Sequence, residues 1–196
     1  PKNLKFSTRK SIRRQTLNNM FKKIIYNIVL IVALVIFQIS FINSLPAGLD
    51  NLNLILVVLI FILSLVNLDY ALTWTIGLGW LLSIFLFVPF GMHLISLFLT
   101  IIFSNLLLAN FFTNRSLYSF LALTGLATII YEFFLNSFNY LFDLFNKENL
   151  LIINWSFWSD KILQLILNLL AVVILFYFIN FFSKKFSPTF LLKYVK

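Results

Sequence analysis

Two side chains could take part in proton or metal chemistry within an otherwise apolar chain, His93 and Glu132. An imidazole serves as general acid–base or metal ligand when a second His, a Cys or a carboxylate pair stands nearby. His93 is the single histidine and there is no cysteine, so no zinc set, thiolate nucleophile or disulfide is available. Glu132 is the one acid expected inside a membrane span. An ionised carboxylate there costs about 2.5–3.5 kcal/mol on insertion scales, which marks it as functional unless it snorkels to the outer interface. The other acids, Asp50, Asp69, Asp143, Glu148 and Asp160, are scattered and form no acid–base pair. Neither H-E-x-x-H nor G-x-S-x-G occurs, and no P-loop or Gly-rich dinucleotide turn. Enzyme is therefore the class with least support, and no catalytic residue, cofactor or metal is expected.

The elements that would position these groups are membrane helices. Residues 24–142 hold only four formally charged side chains, Asp50, Asp69, Arg115 and Glu132, and 61% of the 196 residues are hydrophobic. A water-soluble chain cannot keep so long a stretch nearly charge-free without exposing a large apolar surface. The 25 Phe residues fit an A+T-rich codon bias and carry little functional weight.

Roughly 20 apolar residues cross a hydrocarbon core of about 30 Å. Six stretches qualify: Ile24–Ile42, Leu52–Leu68, Tyr70–Val88, Gly91–Phe112, Leu117–Phe138 and Ser156–Phe182. Turn chemistry separates them at Pro46–Gly48, Asn67–Asp69, Pro89–Gly91 and Asn114–Ser116. The expected fold is an all-α polytopic membrane protein, a six-helix transmembrane bundle over residues 24–182. With six spans both ends share a side, which carries 13 Lys or Arg against Lys147 and Lys161 on the other. The positive-inside rule places both termini in the cytoplasm. Trp155 and Trp158 would then sit in an outer aromatic belt and Trp74 in an inner one.

Residues 1–23 form a basic cytoplasmic head with eight Lys or Arg and no acid, and residues 183–196 a basic tail. Arg9, Lys10, Arg13 and Arg14 cluster within the head. A polybasic segment joined to a membrane helix already lies at the anionic inner leaflet, so its expected partner is lipid headgroups. No aromatic-interleaved RNA motif or DNA-binding unit accompanies it, so no nucleic acid is expected. Residues 139–160, apolar but dotted with charge, would lie along the outer surface as interfacial cover or as a partner's contact.

Small residues recur every four positions: Ala71, Thr75, Gly79 and Ser83 in the third span, Ser96, Thr100 and Ser104 in the fourth. Such stripes allow close backbone approach, with hydroxyl hydrogen bonds of roughly 0.6–2 kcal/mol between helices. Joined by the tight Pro89–Gly91 turn, they would build an antiparallel hairpin or dock a partner helix. Gln38, Asn105, Asn110 and Asn168 are expected to face neighbouring helices and hydrogen-bond there.

From Gln38 to Glu132 the pieces in order resemble the MreD family, a small inner-membrane component of the bacterial cell-elongation complex. The likeness rests on Leu45-Pro46, the span around Leu54-Ile55-Leu56-Val57-Val58, the stretch Gly77-Leu78-Gly79-Trp80-Leu81-Leu82-Ser83 and the turn Pro89-Phe90-Gly91-Met92-His93. Family members commonly place an acid near the end of the glycine-spaced helix, where this chain has Ser83. The resemblance implies a non-enzymatic scaffold that binds an MreC-like membrane protein and, through it, wall synthases and MreB filaments. The chain is also similar in size and span number to the S-components of energy-coupling vitamin transporters. That alternative implies a solute pocket near the outer surface drawing on His93, Asn105, Glu132 and Trp80.

Overall fold

The computed structural model describes residues 2–86, 89, 91–112, 116–146 and 155–186, with side chains from Met20 onward except at 146, 156 and 182–186. Six α-helices follow one another: α1 (Lys2–Ser40), α2 (Leu54–Leu65), α3 (Leu68–Phe85), α4 (Met92–Asn110), α5 (Leu117–Asn146) and α6 (Trp155–Phe186). Five stretches, within α1, α3, α4, α5 and α6, are long and apolar enough to cross a membrane. The molecule is an all-α membrane bundle.

Three expected boundaries change. The basic head is not a separate segment, since α1 runs from Lys2 through the first span without a break. The side chains of Arg9, Lys10, Arg13 and Arg14 lie outside the described residues, as do Arg115 and the tail beyond Phe186. The described parts of 139–160 are not a separate surface piece, because α5 continues to Asn146 and α6 begins at Trp155. Residues 147–154 are not among those described.

The second expected span is the largest departure. Its helix, α2, has 12 residues, about 18 Å at 1.5 Å per residue, against a hydrocarbon core of about 30 Å. It nevertheless joins the two ends of the bundle. Its first turn lies beside Gln38 near the end of α1, and it leads through Asn67 to Tyr70, whose hydroxyl donates to Asn27 in the first half of the α1 span at 2.7 Å. Ile55, Leu56, Val57, Leu59 and Ile60 are all 0% exposed, so α2 is the core around which the longer helices pack. Leu78, Leu97, Ile101 and Leu123 from α3, α4 and α5 close over one side of it. Phe120, Ala171 and Val172 from α5 and α6 close over the other, with the Phe61 and Phe120 rings stacked 4.7 Å apart.

The small-residue stripes lie between α3 and α4. Ala71, Thr75, Gly79, Ser83, Ser96, Thr100 and Ser104 are all buried, and a Cβ added at Gly79 would sit 2.6 Å from the Leu94 Cα. Only glycine permits that approach of one backbone to another. The hydroxyls do not bridge the helices as expected. Thr75, Ser83 and Thr100 each donate to the carbonyl four residues back on their own helix, at 2.7–2.9 Å. Ser96 and Ser104 have no partner among the described residues. The adhesion is therefore close packing of small faces. Gly91, at φ 92°, starts α4 from the left-handed region, and the carbonyl of Pro89 accepts the Met92 N–H at 3.2 Å. Trp74 is buried beside Tyr70 rather than placed in a belt.

Candidate functional site

The polar residues of the bundle gather at one end, where α1 closes and α2 begins. Leu52 is extended and Asn53 is the N-cap, and a helix start there leaves backbone groups without intrahelical partners. Side chains from three elements supply them. The Gln38 amide on α1 donates to the Leu52 carbonyl at 2.8 Å and accepts the Leu54 N–H at 3.0 Å, pairing with backbone as a neighbouring strand would. Asn53 caps its own helix by accepting the Leu56 N–H at 3.0 Å. Asn168 on α6 accepts the Asn53 N–H at 2.9 Å and donates to the Thr128 hydroxyl on α5 at 3.0 Å. Unpaired, each of these groups would cost several kcal/mol in a medium without water, roughly 4–8 on a fully apolar scale. Gln38 and Asn168 thus perform the interhelical role expected of them. Asn110 is exposed instead, and Asn105 is half-buried.

A second group stands alongside. His93, in the first turn of α4, holds the Tyr131 hydroxyl with Nδ1 at 2.9 Å, and Asn53 is within hydrogen-bonding reach of the same hydroxyl. The Asn53 oxygen already takes the Leu56 N–H, so its NH2 group is the one that faces Tyr131. His93 and Tyr131 share one hydrogen bond through Nδ1, and its direction follows the imidazole tautomer. Glu132, next to Tyr131, forms an ion pair with Lys161 of α6 and also accepts from the Asn136 amide at 3.3 Å. The expected lone acid of the fifth span therefore has a cation, on a residue counted from sequence only as an outer-face charge.

The α5–α6 hairpin brings these groups into step. Phe120 meets Phe176, Thr128 meets Asn168 and Glu132 meets Lys161, a regular antiparallel register. Lys161, Gln164 and Asn168 share one face of α6 at spacings of three and four. That spacing was the available signal for Lys161 and Gln164, which sequence reasoning missed; Tyr131 and Asn53 offered none.

Two concavities flank Glu132. A polar cavity of about 300 Å³ is lined by Gln38, Asn51, Asn53, His93, Tyr131, Glu132 and Gln164, with Asp50 also on its wall. Neither Asn105 nor Trp80 lines it. On the other side, a largely apolar groove of about 810 Å³ runs between α5 and α6, past Ile129, Phe133, Tyr140, Trp158 and Ile162, with Glu132 and Lys161 in its wall. Among the described residues no three His, Asp or Glu side chains converge as a metal site would need. The arrangement can hold a helix end, present an ion pair to a groove and offer hydrogen bonds to a small polar guest. Against family models, curated proteins and solved structures alike, the chain finds no match.

Proposed function

We propose that this protein is a non-enzymatic scaffold of the bacterial cell-elongation machinery in the cytoplasmic membrane, holding the transmembrane helix of an MreC-like partner in the α5–α6 groove. The observation that carries the reading is the ion pair in the wall of that groove. Glu132 and Lys161 border a concave apolar face that in a lone subunit fills with lipid, where charge is costly. A partner helix laid along Ile129, Phe133 and Ile162 covers the pair and brings polar groups of its own. The small-residue stripe on α3 and α4 is consumed inside the molecule, which leaves the groove as the docking face. The basic head would rest on anionic lipid, on the side of the filaments.

Purification from native membranes in mild detergent, followed by mass spectrometry, tests the proposal. Cysteines introduced at Phe133 and Ile162, in a chain without native cysteine, should cross-link to an MreC-like protein, with wall synthases recovered alongside. Recovery of ATPase and coupling subunits instead would move the protein to the vitamin-transporter class. One observation favours that second reading: the polar cavity at the expected outer end.

A further inference from the structure

The polar cavity contains more hydrogen-bonding capacity than the fold uses. Gln38, Asn53 and Asn168 are committed to the start of α2, and Glu132 to Lys161. Three lining groups are not so committed. Gln164 is 7% exposed, and its amide has no hydrogen-bond partner among the described residues while it borders the cavity. Its apolar neighbours on α6 give no reason for an amide at that position. His93, 8% exposed, spends Nδ1 on Tyr131 and leaves Nε2 without a partner among the described residues. Asp50, on the turn between α1 and α2, is an exposed wall residue whose carboxylate has no cation among the described residues. Polar groups that face a cavity without a protein partner are free to hydrogen-bond a guest there.

We propose that this cavity binds a small polar amine in its protonated form, its ammonium group beside Asp50 and its hydroxyl groups on Nε2 of His93 and the amide of Gln164. The cavity is the one that favours the solute-binding reading, and the proposal deepens that reading by naming the class of guest. Charge sets the sign. With Glu132 paired to Lys161, Asp50 is the carboxylate of the wall without a cation among the described residues. An anion would meet that carboxylate unpaired, whereas a cation would gain a charge-assisted bond. Size sets the class. About 300 Å³ is the liquid volume of roughly ten waters at ~30 Å³ each, so the guest has about as many non-hydrogen atoms, the low end of ligand pockets.

Glucosamine and glucose make a matched pair of probes of this size, alike in their hydroxyls and different in the ammonium group. Calorimetric titration of the full-length protein in detergent should show saturable binding of glucosamine, with glucose roughly ten-fold weaker, as loss of one charge-assisted bond predicts. Asp50→Asn, a change at an exposed turn, should remove the preference for the amine. Gln164→Leu, which suits a membrane helix, should weaken both sugars together. Saturable binding of neither sugar overturns the proposal. Equal binding of the two by the wild type overturns the amine, and unchanged binding in both variants overturns the site.

Discussion

The side-chain oxygen of Asn168 accepts the backbone N–H of Asn53 at 2.9 Å, across 115 residues of sequence. Through this bond α6 holds the first turn of the helix that contributes more buried apolar residues than any other, and the same amide reaches on to Thr128 of α5.

Asn168→Leu removes both bonds and leaves the Asn53 N–H buried and unpaired. The expected loss is about 1–3 kcal/mol, the cost of stranding a buried group rather than the smaller net worth of a bond. Reversible unfolding in a detergent titration measures it. A loss below the ~0.6 kcal/mol typical of membrane hydrogen bonds would show that water reaches the α2 terminus.

Alanine scanning of the glycines should yield a graded series set by space. A Cβ at Gly79 would stand 2.6 Å from the Leu94 backbone, at Gly77 3.1 Å from the flexible end of Ile31, and at Gly125 3.8 Å from Leu169. Gly79→Ala should cost about 1–3 kcal/mol as α3 and α4 are forced apart. Gly77→Ala should cost less, and Gly125→Ala should be tolerated. Thermal stability in one detergent, compared across the three variants, reads the order directly.

Glu132 and Lys161 should behave as a unit. Glu132→Gln or Lys161→Met alone strands a charge in a wall shared by cavity and groove. Each should cost more than the ~1 kcal/mol of an exposed pair and less than the 3–5 kcal/mol of a fully buried one. The double variant should recover most of the loss. Additive losses in the cycle would mean that the two groups act independently.

Single cysteines test the orientation. In intact cells an impermeant thiol reagent should label Asp50→Cys and leave Lys10→Cys untouched. The reverse pattern would invert the bundle and turn the polar cavity toward the cytoplasm.

Much of the bundle is legible in hydropathy and turn chemistry. The expected third, fourth, fifth and sixth spans start within two residues of α3, α4, α5 and α6, because a bilayer enforces length and apolarity on each helix by itself. The short α2 was not legible. Leu52–Leu68 is apolar enough for a span, and only the network of Gln38 and Asn168 shows that its helix begins two residues in, at Leu54. The site was half legible. Gln38, His93, Glu132 and Asn168 stood out as polar groups in apolar runs. Their partners did not, since Tyr131 reads as one more aromatic and Lys161 as one more outer-face cation. Which polar group meets which depends on register between helices, and single-helix periodicity does not encode that.

The short central helix also bears on how the chain enters a membrane. A 12-residue segment is below the length that inserts alone, and every group that caps its start, apart from Asn53 itself, comes from helices synthesised well before or long after it. α1 and α3 can each lodge in lipid as they emerge. The Asn53 N–H gains its partner only when α6 brings Asn168, so the centre of the finished molecule is completed by its sixth helix.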